Sequence, residues 1–145
     1  MKCPSPARGG ILSARLDHTV VHSRDRFSSA RFLTELLGAP EPTPFGPFVS
    51  VPLANGVTLD YADATGEHYG DKEAPIVSQH LAFLVDDEEF DTILERIKER
   101  EIPYWADPFS EKPQQINHAH QGRGFYFRDP NDHFLEFMTH THVVD

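Results

Sequence analysis

Two stretches of this chain carry the same hydrophobic pattern and predict the same pair of elements. Leu16-Asp17-His18-Thr19-Val20-Val21 reads as a β-branched strand. Asp25 then offers a helix N-cap, and Phe27, Ala30, Leu33, Leu36 and Leu37 recur at helical spacing. Gly38 stands where a left-handed stop belongs, with Pro40 beyond it. The pattern returns at Ser78-Gln79-His80-Leu81-Ala82-Phe83-Leu84-Val85, a second strand. Asp86 or Asp87 caps a helix carrying Phe90, Ile93, Leu94 and Ile97, which ends before Pro103.

Shorter strands follow each helix. Phe48–Leu53 and Val57–Ala62 flank Asn55-Gly56, a strong hairpin signal. Ile102–Trp105, Gly124–Arg128 and His133–Thr139 follow the second helix, the last two joined by Asp129-Pro130-Asn131-Asp132, which has turn chemistry throughout. Each half therefore reads strand–helix–strand–strand with room for one more strand, an internal duplication too long for a stacked solenoid. The boundaries read as a tail over 1–14, a first module over 15–66, a polar linker over 67–77 and a second module over 78–140. Glu111–Gly122 is a polar excursion holding Asn117, His118 and His120.

Length and composition narrow the function. At 145 residues the chain suits one compact domain made of two small halves. The eleven Phe point to an aromatic core, an aromatic-lined pocket or both. With 13 Lys and Arg against 23 Asp and Glu, the net charge of −10 argues against nucleic acid or an anionic membrane, and no basic patch offsets it. Cys3 is the only cysteine, so a reducing compartment is expected. No apolar run approaches the length of a membrane span or a signal-peptide core, and the expected location is cytoplasmic.

Strand alternation sets the candidate chemistry. Leu16, His18, Val20 and His22 share one face; so do His80, Ala82 and Leu84; so do Phe134, Glu136 and Met138. An ionised Glu136 buried between Phe134 and Met138 costs several kcal/mol unless paired or ligated; the alternative is that Leu135 and Phe137 face the core. The duplication adds weight to ligation. His18 and His80 hold equivalent places in the two modules, Glu136 lies on the last strand of the second, and Asp60 holds its equivalent in the first. Two imidazoles and one or two carboxylates suit a divalent transition metal and leave positions open for a small substrate.

Leu16-Asp17-His18, Gln79-His80-Leu81-Ala82-Phe83 and Gly124-Phe125-Tyr126-Phe127-Arg128-Asp129-Pro130-Asn131-Asp132-His133-Phe134-Leu135-Glu136 resemble the vicinal oxygen chelate superfamily, which includes glyoxalase I, bleomycin-resistance proteins and extradiol dioxygenases. The resemblance runs from Leu16 to Thr139. It implies an α+β fold of two paired βαβββ modules forming a cupped mixed sheet, and metal ligands at His18, His80 and Glu136. Asp60 falls where glyoxalase I enzymes carry a second ligating glutamate. One methylene shorter, it is expected to stay off the metal and to act as a base or bond a metal-bound water. That leaves a two-His, one-carboxylate set, the arrangement of non-heme iron oxygenases. Phe45-Gly46-Pro47-Phe48, Pro103-Tyr104-Trp105-Ala106-Asp107-Pro108 and Ile116-Asn117-His118 are similar to a subgroup that includes the oxidative-rearrangement dioxygenase of chartreusin biosynthesis.

The resulting expectation is an iron(II)-dependent dioxygenase, with manganese, nickel or zinc as alternative metals. Its substrate would be an aromatic small molecule with vicinal oxygens, such as a polyketide-like phenol or catechol, and the chain would form a homodimer. A glyoxalase-like isomerase or lyase and a metal-free resistance or ligand-binding protein are the competing classes. Asp60, Tyr126 and His118 are the candidate catalytic residues. Tyr126 could instead be a core tyrosine, and His118 and His120 solvent-exposed loop residues. His22 lies too far along its strand to share an ion with His18, His133 faces opposite to Glu136 as a structural residue, and His140 and His142 fall in a frayed C-terminus. Trp105 walls a pocket or covers a sheet edge; Arg123 and Arg128 either meet solvent or bind an acidic substrate group. No phosphate loop, serine elbow or reactive cysteine environment is present.

Overall fold

In the computed structural model the described residues are 13–65 and 75–142. The expected tail and linker, with Cys3 and His68, fall almost wholly outside them. The first module runs β1 (His18–Ser23), α1 (Arg26–Leu37), β2 (Thr43–Phe45), β3 (Phe48–Pro52) and β4 (Thr58–Asp63). The second runs β5 (His80–Leu84), α2 (Asp87–Glu99), β6 (Tyr104–Trp105), β7 (Gly124–Arg128) and β8 (Phe134–Met138). Each module is βαβββ; β2 fills the place left for a further strand in the first half, and β6 falls within the expected strand Ile102–Trp105.

Both modules build one sheet of the same order, β1-β4-β3-β2 and β5-β8-β7-β6. The first strand of each runs parallel to the last, and the other pairings are antiparallel. The mixed α+β architecture is as expected, with hydrogen bonding divided into two four-stranded sheets that leave β1 and β5 as end strands.

Local chemistry sets the helix limits. The Asp25 carboxylate accepts the Ser28 amide at 2.9 Å and starts α1. Gly38 ends it at φ 66°, and a Cβ there would stand 2.9 Å from the Arg96 guanidinium, so both conformation and space call for glycine. Asp86 caps α2 through the Glu89 amide, and Asp87, Glu88 and Glu89 place negative charge at its positive end.

One hydrophobic core spans both modules. Val21, Val49, Val51, Leu59 and Tyr61 meet Leu33 and Leu36 of α1, while Phe125, Phe127, Leu135 and Phe137 meet Phe90, Ile93 and Ile97 of α2. Each such side chain contributes about 1.5–3 kcal/mol when fully buried. Polar ties join the halves. Arg96 donates to the Leu36 carbonyl at 2.7 Å, and the Asn131 amide donates to Ser29 Oγ at 2.9 Å while its oxygen accepts the Arg24 amide at 2.8 Å. His133 is fully buried: its Nδ1 accepts the Gln79 amide at 3.0 Å, so Nε2–H donates to the His22 carbonyl at 2.7 Å. The structural role expected for His133 thus has a specific content, a bracket from the end of β1 to the start of β5.

Candidate metal centre

Because core residues alternate with outward ones, each sheet has an outer face, and the candidate site residues lie there. On β8, Leu135 and Phe137 turn to the core and Glu136 to the outside. Glu136 is nevertheless only 8% exposed. Its register partners Ala82 on β5 and Tyr126 on β7 flank it, and His80 reaches across from the start of β5.

His80 and Glu136 make a compact donor pair. His80 Nδ1 lies 2.9 Å from the Phe134 carbonyl, an acceptor only, so Nδ1 carries the hydrogen. In the neutral ring this turns the Nε2 lone pair toward Glu136 Oε2, 3.2 Å away. Two acceptors facing each other at that separation call for a positive centre, either a proton on the imidazole or a shared metal ion. Two donors bound at right angles to one divalent ion at ordinary bond lengths stand about 3.0 Å apart, so the pair fits a metal. The Phe134 carbonyl supplies a hydrogen bond of the kind that fixes the tautomer where a histidine binds a metal.

Tyr126 closes this half-site. Burial, the Glu136 charge and a hydrogen bond to Glu136 push its pKa up to about 12, so it stays a protonated donor at neutral pH. Its ring stacks on Phe134 at 5.3 Å and lies 6.0 Å from His80, and Arg128 covers Phe134 at 4.9 Å. An aromatic platform therefore borders the donor pair.

The outer face of the first sheet carries the other half. His18 begins β1, and its Nδ1–H donates to Asp17 at 2.7 Å, leaving Nε2 as the ring's lone-pair nitrogen. That hydrogen bond raises the His18 pKa above its ordinary value, with smaller contributions from the charges of Asp17 and Asp60. Asp60, on β4, is only 6% exposed and accepts the Ser50 hydroxyl at 2.6 Å.

The structure thus brings His80, Glu136 and Tyr126 together on one sheet and His18 and Asp60 on the other. Among the described residues of one chain, no three His, Cys, Asp or Glu gather as a metal-holding group. His118 is exposed beside a short 3-10 turn (Ala119–Gln121) and, among the described residues, makes no hydrogen bond to the other candidates. Arg123 is engaged by Asp87 and Asp91 at 3.0 and 2.6 Å, and Trp105 lies on edge strand β6 opposite Pro113. Sequence reading missed Ser50 and the role of Asp17. Ser50 is legible in hindsight as the polar residue between core Val49 and Val51, directly opposite Asp60 in register.

Among solved structures, the oxidases ChaP-H1 and ChaP-H2 are each 46% identical to this chain. ChaP-H1 matches over 89% of this chain and 98% of its own with a TM-score of 0.81; ChaP-H2 matches over 90% and 96% with 0.80. A lactoylglutathione lyase from Agrobacterium tumefaciens, 18% identical over 88% of this chain and 93% of its own, shares the fold at a TM-score of 0.60. Curated proteins yield no match. The family model for the Glyoxalase/Bleomycin resistance protein/Dioxygenase superfamily matches residues 15–137, and the chain belongs to that superfamily.

Proposed function

We propose that this protein is an oxidoreductase of the vicinal oxygen chelate type, an iron(II)-dependent dioxygenase whose substrate is an aromatic small molecule with two adjacent oxygens. The observation that carries this reading is the His80–Glu136 pair, two acceptor atoms held 3.2 Å apart beside an aromatic platform. The 46% identity to two oxidases over nearly the whole chain favours oxidation over isomerisation.

In this reading His18 of one chain joins His80 and Glu136 of a second copy, because the two half-sites lie on separate sheets. Exposed Ala82 and Leu84 along end strand β5, with exposed Leu16 preceding β1, give the copies apolar surface to cover. Iron, when bound, would supply the redox chemistry. The protein groups do the rest. The Tyr126 hydroxyl holds Glu136, Phe134 and Tyr126 stack against an aromatic ring, and Asp60 accepts a proton from the substrate hydroxyl. A glyoxalase-like isomerase would need Asp60 as a fourth ligand, and its side chain is one methylene shorter than the glutamate that serves there.

The test is iron content and oxygen uptake after anaerobic reconstitution of wild type and Glu136→Ala. Expected are about one iron per chain in wild type, its loss in the variant, and oxygen consumption with catechols or hydroquinones only in wild type. Equal iron in both proteins would refute the assignment.

A further inference from the structure

The Ser50–Asp60 pair does something the metal ligands do not. Ser50 is the centre of β3 and Asp60 the centre of β4, and the two are direct partners in the antiparallel register. Their neighbours Val49, Val51, Leu59 and Tyr61 are buried in the core, which fixes both backbones and turns both polar side chains to the outer face. The Ser50 hydroxyl donates to Asp60 Oδ1 at 2.6 Å, the length of a strong bond to a charged acceptor. The carboxylate is only 6% exposed, so water competes little for that oxygen. Asp60 is close enough to His18 for its charge to act on that imidazole.

We propose that Ser50 is a positioning residue that clamps Oδ1 of Asp60 and presents Oδ2 alone to the substrate. The proposal rests on the metal centre described above. A serine at this register position gives the Asp60 carboxylate a fixed direction as a proton acceptor. Without the hydroxyl the carboxylate can turn about its side-chain bonds, and both oxygens compete for whatever lies in front of it.

The experiment uses the intact dimer loaded with cobalt(II), whose ligand-field absorption reports coordination. 4-Nitrocatechol serves as the probe, because its visible spectrum reports its ionisation. Wild type, Asp60→Asn, Ser50→Ala and Ser50→Thr are compared. Expected are equal cobalt content and the same ligand-field spectrum in wild type, Asp60→Asn and Ser50→Thr, since Asp60 is not a ligand. Ser50→Ala should retain cobalt yet bind the ionised probe about tenfold or more weakly, as loss of a group that orients a working side chain does, and Ser50→Thr should restore binding. A changed spectrum in Asp60→Asn would overturn the proposal by making Asp60 a ligand. So would wild-type probe binding in Ser50→Ala, or failure of Ser50→Thr to restore it. Wild type that takes up no cobalt would overturn the metal centre itself, and the Ser50 role with it.

Discussion

Replacing His133 with alanine tests how firmly the two modules are joined. The ring is fully buried and makes two hydrogen bonds, at 3.0 Å from the Gln79 amide and 2.7 Å to the His22 carbonyl. Its removal strands a backbone donor at the start of β5 and an acceptor near the end of β1. Each stranded buried group costs about 1–3 kcal/mol, and the vacated ring space adds to that. A loss of roughly 3–5 kcal/mol follows, and with a fall of about 2–4 °C per kcal/mol in a chain of this size, Tm should drop by roughly 10 °C. Thermal unfolding should be compared at one fixed protein concentration, because self-association contributes to apparent stability. Hydrogen exchange supplies the local readout: the Gln79 amide should exchange faster than neighbouring β5 amides that keep their β8 partners. His133→Asn, which retains a polar group in the same place, should lose less. A loss below about 1 kcal/mol in the alanine variant, with the Gln79 amide still protected, would refute the bracket.

Four further outcomes follow from the same geometry. Asp25→Ala removes the cap of α1 and should cost about 1 kcal/mol, read in urea unfolding. The Asp107 carboxylate is held below its ordinary pKa: partial desolvation pushes the other way, but the Glu111, Lys112 and Phe109 amides outweigh it. Its contribution is therefore present above the pKa of a free aspartate and lost as pH falls through the depressed value, so those amides should lose exchange protection only on the acid side, and in Asp107→Asn at any pH. Asp17→Asn should lower the His18 pKa, followed by NMR titration of the imidazole in protein stripped of metal. Tyr126→Phe should keep the iron stoichiometry but weaken affinity about tenfold or more, as loss of a group that orients a ligand does.

Where burial follows local pattern, the chain announces its fold. The Asp25 and Asp86 caps, the Gly38 stop, the Asn55-Gly56 turn and the boundaries of Gly124–Arg128 were all legible, because each depends on a few adjacent residues. The short strand β2 was not, since Thr43–Phe45 is exposed and owes its form to β3. On β8 the two readings of Glu136 proved compatible: Leu135 and Phe137 face the core, while Glu136 lies on the outer face and is still shielded by its neighbours. Strand alternation sets which residues share a face, but it says nothing about how one sheet lies against another. The separation of the two half-sites was therefore invisible, as was His118 standing apart from both, because the direction of a long polar loop depends on contacts remote in sequence. Ser50 escaped notice because one serine in a hydrophobic strand gains meaning only from its partner across the register.

The central claim is a metal centre shared between two copies of the chain, and complementation tests it most directly. His18→Ala and Glu136→Ala, each carrying a different affinity tag, are coexpressed and the mixed dimer isolated by both tags. Each variant alone should hold no specific iron after anaerobic reconstitution. The mixed dimer unites an intact His18 from one chain with intact His80 and Glu136 from the other at one of its two sites, and should hold about one iron per dimer. A mixed dimer as empty as its parents would contradict the shared site.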